Sequence, residues 1–79
     1  MKKYYKSEDK KGRWSDGFSN TKEGKKDKNN KPKKTDDVEF EDGTVLLIDE
    51  VAECNSITGA VSLFAVKGGA LSINGVKKI

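Results

Sequence analysis

The apolar residues of this chain are concentrated in its second half, and this limits where a core can form. Residues 38–79 hold 21 apolar residues in 42 positions, whereas residues 1–37 hold 5 in 37. The charge changes at the same place: residues 1–37 carry 13 Lys/Arg and 7 Asp/Glu, a net charge of +6, and residues 38–79 carry 3 Lys and 6 Asp/Glu, a net charge of −3. The sequence therefore predicts a boundary near Asp37 and Val38 between a basic low-complexity segment and a small domain.

Residues 38–79 have the pattern of short β-strands separated by turns. Three dipeptides are typical of tight turns: Asp-Gly at 42–43, Gly-Gly at 68–69 and Asn-Gly at 74–75. Residues 55–59 are typical of a loop. Five glycines and many β-branched residues in 42 positions make helices a poor fit. The predicted strands are Val38–Glu41, Thr44–Asp49, Glu50–Cys54, Ala60–Lys67, Ala70–Asn74 and Val76–Ile79.

These features predict a mostly β fold, with residues 38–79 as a small antiparallel body of meander, sandwich-like or barrel-like form. Residues 1–37 are predicted to form an extended, largely irregular basic N-terminal arm. Residues 24–34 contain no apolar side chain and cannot offset the entropy of ordering their backbone. A weak hairpin is predicted within residues 3–18, where aromatic residues and turn signals occur.

The small β body is predicted to need a partner. The single cysteine, Cys54, cannot form an intrachain disulfide, and 21 apolar side chains are few to stabilise 42 ordered residues. Strands without charges also present edges that tend to pair with other chains. We therefore expect a homo-oligomer or a body that adds its strands to a partner's sheet. The residues predicted to make this contact are Val45, Leu47, Leu63, Phe64, Val66, Leu71 and Ile73.

The chain lacks the residues from which most catalytic sites are built. It has no histidine and no nucleophile-elbow or phosphate-loop motif, and Cys54 has no base to activate it. The acidic residues do not follow the spacing of a calcium loop and are interpreted as solvated strand faces; they are Glu39, Glu41, Asp42, Asp49, Glu50 and Glu53. We expect no catalytic residues, no metal and no cofactor, and hence no enzyme.

The basic arm is open to two interpretations. Lysines with interleaved aromatic residues suit nucleic acid, because cations neutralise phosphates and aromatic rings stack on bases. Alternatively, the arm crosses neighbouring protein subunits, with its aromatic residues as anchors in partner pockets. The residues predicted to bind a partner are Tyr4, Tyr5, Arg13, Trp14, Phe18, Lys25, Lys26, Lys33 and Lys34.

The hypothesis that we favour is a structural or assembly protein, an accessory subunit of a large complex such as a virus or phage particle. The alternatives are a nucleic-acid-binding protein that uses the arm and a small inhibitor that docks on a host protein. No apolar stretch follows the basic N-terminus, and the longest apolar run is residues 45–48. We therefore expect no signal peptide, no membrane contact and a cytoplasmic protein at synthesis, with incorporation into a virion as a further expectation.

Overall fold

The computed structural model describes all 79 residues and contains nine short strands and a single turn of 3₁₀ helix. Most residues outside the strands form the turns between them or the segment between the second and third strands. The strands are β1 (Lys2–Tyr5), β2 (Lys11–Arg13), β3 (Asp37–Phe40), β4 (Thr44–Ile48), β5 (Val51–Cys54), β6 (Ser56–Thr58), β7 (Val61–Ala65), β8 (Ala70–Ile73) and β9 (Val76–Lys77), and the 3₁₀ turn is Trp14–Asp16.

The strands stack in parallel along three sides of a coil. β3 pairs with β1 and then with β6, β4 pairs with β2 and then with β7, and β5 pairs with β8. Between the last two layers Asp37 lies next to Ser56 and Thr44 next to Val61, so one turn of the coil takes 17 to 19 residues. The chain is therefore a three-sided parallel β-solenoid with three layers, and β9 adds one antiparallel strand to β8.

Residues 14–36 replace a third strand in the first layer and cover that end of the solenoid. The backbones of Tyr4 and Ser19 exchange two hydrogen bonds of 2.8 and 2.9 Å on the edge of β1 that faces away from β3. Phe18 then pairs with Asp27, which folds the segment back on itself. We call this the closed end.

The core is dominated by an aromatic cluster at the closed end. The rings of Trp14 and Phe18 lie 4.9 Å apart, and Tyr5 and Phe40 complete the cluster with ring centres 5.5 to 6.5 Å from their neighbours. The hydroxyl of buried Tyr5 donates to the Asp16 carboxylate at 2.9 Å. Aliphatic side chains extend this core along the solenoid; they are Val38, Leu46, Ile48, Ala52, Cys54 and Leu71.

Polar contacts fix the lysine-rich segment where apolar side chains are absent. The buried Lys3 ammonium donates to the side-chain oxygens of Asn20 and Asn30 at 2.7 and 2.6 Å. The N-terminal ammonium lies 3.3 Å from Asp36, whose side chain also accepts the backbone N–H of Lys33. These contacts hold the lysine-rich segment against the rest of the fold, although the segment has no apolar side chains to bury.

The mostly β fold predicted from the sequence is confirmed, but the antiparallel arrangement is wrong. Asp-Gly at 42–43 is typical of a hairpin turn with positive φ at both residues, yet only Gly43 has a positive φ, 90°, and the chain turns a corner between two sides of the coil. Asn74 and Gly75 both have positive φ, 51° and 78°, and here the expected hairpin joins β8 to β9.

The extended N-terminal arm is likewise absent from the fold. β1 pairs with β3 in parallel, and Tyr5, Trp14 and Phe18 are at most 1% exposed within the same core as the later strands. The predicted hairpin within residues 3–18 is replaced by the bridge from β1 to Ser19. The cause is that these aromatic side chains fill the first layer of the core, which residues 38–79 cannot fill themselves.

Candidate functional site

The two ends of the solenoid differ in how well they cover the core. In the middle layer Val38 and Leu46 are fully buried, whereas Ile57 and Leu63, which stack directly on them in the last layer, are only half-buried. We call this second end the open end, because the inward-facing side chains of β6 and β7 have no further layer above them.

The backbone of β7 presents unpaired groups at the open end. Val66 donates to Ile48 at 3.0 Å, and the carbonyl of Ala60 accepts from Gly43 at 2.7 Å, so the even-numbered residues of this strand bond to the layer below. Peptide groups alternate in direction along a strand, so residues 61, 63 and 65 direct their N–H and C=O groups away from the solenoid. The corresponding edge of β8 is occupied by β9 and the residues after it.

An exposed apolar surface lies next to this edge, on the outer face of the sheet formed by β2, β4 and β7. The register places Arg13, Leu47 and Phe64 in one row across the three strands, with Lys11, Val45 and Ser62 in the next row. Phe64 is 54% exposed and Val45 37%. Adjacent strands lie about 4.8 Å apart, so each row spans about 10 Å. The structure thus brings Arg13, predicted in the arm, together with Val45, Leu47 and Phe64, predicted in the body.

The charged side chains of the last layer and of the residues after it are all lysines. No Asp or Glu follows Glu53, and the three lysines of this region are exposed and form no ion pair. Lys67 follows β7 at the corner before β8, and the backbone N–H of Lys78 donates to Leu71 at 2.7 Å near the same corner. Sequence reasoning missed these lysines; the absence of acidic residues after Glu53 was the signal that pointed to them.

The other predicted contact residues are distributed between core and surface. Four of them are buried, and their role in this fold is packing; they are Tyr5, Trp14, Phe18 and Leu71. Leu63, Val66 and Ile73 are half-buried in the last layer, and Tyr4 is half-buried on the outer face of β1. Lys25, Lys33 and Lys34 are exposed in the closed-end segment, whereas the ammonium of Lys26 lies 4.5 Å from the centre of the Tyr5 ring.

A polar groove of about 360 Å³ lies beside β1 and β3. One of its carboxylates, Glu39, is 2.9 Å from the ammonium of Lys2 and 3.6 Å from that of Lys22. The hydrogen bond from Lys2 holds the pKa of Glu39 below its usual value. The charge of Glu39 is therefore already paired within the molecule, and we assign the groove no ligand.

The remaining acidic residues mostly link segments of the fold. Asp49 accepts from the hydroxyl and the backbone N–H of Ser15 at 2.6 and 3.2 Å. Burial alone would raise the pKa of Asp49, but these hydrogen bonds outweigh it and hold the pKa below its usual value. Glu50 lies 3.3 Å from Lys31, and Asp42 accepts the N–H of Ala60 at 2.8 Å. No group of three or more His, Cys, Asp or Glu side chains is arranged to hold a metal ion.

Cys54 is completely buried on the inner face of β5. Burial, aided by the nearby Asp37 carboxylate, raises the pKa of its thiol to about 11. The thiolate, which is the nucleophilic form, is therefore scarce at neutral pH.

No protein-family model, curated protein or solved structure matches this chain. None of its helical residues form a segment of the length and apolarity needed to cross a membrane.

Proposed function

We propose that this chain is a non-enzymatic assembly protein that docks on a partner subunit through the open end of its solenoid. The observation that carries the proposal is the unpaired edge of β7, with the half-buried Leu63 beneath it and the exposed Phe64 beside it. A partner strand on this edge would satisfy the free backbone groups and bury the apolar side chains in one step.

The composition of the open edges supports this proposal. Soluble proteins usually protect edge strands with charged residues, proline or bulges. Residues 56–58 and 61–65 contain neither charge nor proline, although 37% of the whole chain is charged. An edge of this kind favours pairing with another chain over exposure to water.

We propose that the closed end makes a second, weaker contact with neighbouring subunits. Residues 22–34 carry seven lysines and two acidic residues, and most of these lysines are exposed. Residues 22–34 contain no aromatic residue, and the predicted anchors Tyr5, Trp14 and Phe18 lie in the core, so this contact would be electrostatic and would weaken as salt is added.

The proposal is tested by gel filtration of the tagged chain from its native cells, with a variant that blocks the edge. Ala65 stacks on buried Ile48 but is itself exposed at the end of β7, so Ala65→Lys places a charge at the open edge, where its side chain can extend into solvent. Glu53→Lys, on the exposed outer face of β5, is the matched control. We expect the wild-type chain and Glu53→Lys to elute in a species much larger than 8.7 kDa and Ala65→Lys to elute as the monomer.

Elution of the wild-type chain as a monomer, or equal elution of both variants, would refute docking through this edge. A complex of fixed stoichiometry with one soluble host protein would identify an inhibitor instead of an assembly subunit.

Nucleic-acid binding is the second candidate, and the lysine-rich closed end favours it. With Tyr5, Trp14 and Phe18 buried, only phosphate contacts are left to this segment. Binding of a fluorescent single-stranded DNA should then fall steeply between 50 and 200 mM salt, by about ten-fold or more for several phosphate contacts. Replacing Lys25 and Lys28 by alanine should weaken binding, and Lys67→Ala, far from this segment, should leave it unchanged; no binding at 50 mM salt would exclude this candidate.

A further inference from the structure

We infer that the open end takes a single extended strand from the partner, parallel to β7, with apolar side chains facing the core and acidic residues at the corner between β7 and β8. This inference rests on the proposed function and specifies the chemistry of the partner. Four observations support it: the position of β9, the side chains of the last layer, the charge at the corner, and the parallel pairing of β4 with β7.

The position of β9 excludes a second copy stacked flush on the open end. β9 lies on the outer edge of β8, with Lys77 next to Ser72, and therefore occupies the next layer on one of the three sides. In a symmetric end-to-end pair, the β9 of each copy would occupy the space required by a strand of the other. A single strand beside β7 meets no such obstacle, because that side has no fourth layer.

The side chains of the last layer define where the partner strand needs apolar residues. Leu63 is half-buried and faces inward, so the residue paired with it would cover the core. Phe64 faces outward next to Leu47 and Arg13, so the residue paired with Phe64 would extend this apolar row by one more strand. The strand would therefore be apolar on both faces near its centre.

The charge at the corner selects acidic residues at the end of the strand. Lys67 and Lys78 are exposed there and have no carboxylate partner. A parallel strand beside β7 would reach this corner with its C-terminal residues. Acidic residues at that position would pair with both lysines.

β4 is a template for such a strand within the molecule itself. It lies on the opposite edge of β7 in parallel, with Leu46 next to Leu63 and Ile48 next to Ala65. It then continues into Asp49 and Glu50 at the same corner of the coil. A peptide with the sequence of residues 44–50 therefore combines the apolar and acidic features that the open edge requires.

The inference is tested by fluorescence anisotropy with the purified full-length chain and a fluorescein-labelled synthetic peptide of residues 44–50. We expect saturable binding that Ala65→Lys abolishes and Glu53→Lys does not change. A control peptide with lysine in place of Leu46 should not bind.

Charge reversal tests the acidic end separately. The double variant Lys67→Glu, Lys78→Glu should bind the peptide about five-fold more weakly, as expected for the loss of two exposed ion pairs. A peptide with lysine at both acidic positions should bind this variant about as tightly as the original peptide binds the wild-type chain. If charge reversal changes the affinity neither in the protein nor in the peptide, the inference that the partner strand ends in acidic residues is refuted.

Two outcomes distinguish an error in the strand chemistry from an error in the proposed docking function. If the chain elutes in a large species that depends on Ala65 but binds no peptide, the docking function holds and the strand chemistry is wrong. If sedimentation equilibrium of the purified chain gives twice 8.7 kDa, and Ala65→Lys returns it to 8.7 kDa, the occupant is a second copy and the inference is overturned.

Discussion

At the scale of single residues, Trp14 is the side chain on which the core depends most. It is 1% exposed and contacts Phe18 and Phe40 in the aromatic cluster. Replacing a buried tryptophan by alanine removes a large apolar area and leaves a cavity, so we expect Trp14→Ala to lower the free energy of unfolding by about 3–5 kcal/mol. Urea denaturation followed by far-UV circular dichroism measures this loss.

Phe64→Ala is the matched control for this prediction, because its ring is 54% exposed on the outer face. Its cost in free energy should stay near 0.5 kcal/mol or less. Equal costs for the two variants would contradict the packing described for the closed end.

Asp49 and Asp36 should make the stability depend on acid pH. Hydrogen bonds from Ser15 to Asp49 and from the Lys33 backbone to Asp36 hold the pKa of each carboxyl below its ordinary value of 3.8. A lowered pKa in the folded state stabilises the fold at pH values above 3.8, and this stabilisation is lost as the pH falls below 3.8 towards the folded pKa values. The urea midpoint should therefore fall between pH 4 and pH 2.

Asp49→Asn keeps an acceptor for Ser15 but cannot titrate. Its urea midpoint should be lower than that of the wild-type chain at pH 7 and should fall less between pH 4 and pH 2. A variant with the full pH dependence of the wild-type chain would show that Asp49 does not contribute.

At the scale of strands and turns, the corners of the coil depend on close approach between layers. A Cβ atom at Gly59 would lie 2.1 Å from the carbonyl oxygen of Phe40, and the residue has a φ of 104°. At Gly68 the φ is 80° but no atom lies within 4 Å of the added Cβ. Gly68→Ala should cost about 1–2 kcal/mol from backbone strain alone, and Gly59→Ala should cost more because the layers must also separate. Thermal melts of the two variants compare these costs, and a larger loss at Gly68 would contradict the layer contact.

The strands of the second half could be predicted from the sequence, but their pairing could not. The observed β4, β5 and β8 agree with the predicted strands to within one residue at each end. A turn dipeptide shows where the chain bends, yet not whether it reverses or turns a corner. The repeat that would have shown stacking is irregular, because residues 14–36 interrupt the first layer. β6 was hidden in the predicted loop at 55–59, since its polar residues depend on β3 for pairing.

The candidate site could be predicted only in part, because a local sequence pattern shows which residues are apolar but not which of them are buried. Val45, Leu47 and Phe64 were predicted as contact residues because strands of low charge present edges that tend to pair with other chains, and the structure places them on one outer face. Tyr5 and Trp14 were interpreted as anchors because residues 1–37 contain too few apolar side chains to bury them. They are buried by residues that are far away in the sequence, and this long-range packing cannot be deduced from local pattern.

At the scale of the whole molecule, the two halves complete one core. Residues 38–79 supply Phe40 and the aliphatic side chains, and residues 1–37 supply Tyr5, Trp14 and Phe18. We therefore expect a fragment of residues 38–79 to show no cooperative thermal transition, because its first layer and most of its aromatic cluster are missing.

The full-length chain with Glu53→Lys is the control, since it alters an exposed residue on the outer face of β5 and keeps the core. A cooperative transition in the fragment would contradict the single core and would support the division at Asp37 and Val38 that the composition predicts.

The covering of one end by residues 14–36 also sets a limit on any larger structure. This molecule offers a free strand edge in only one direction along its axis. It can therefore occupy the end of a row of stacked strands but not a position inside the row. The number of copies would then follow the number of row termini and not the length of the row, so the protein would act as a stop rather than as a repeating unit.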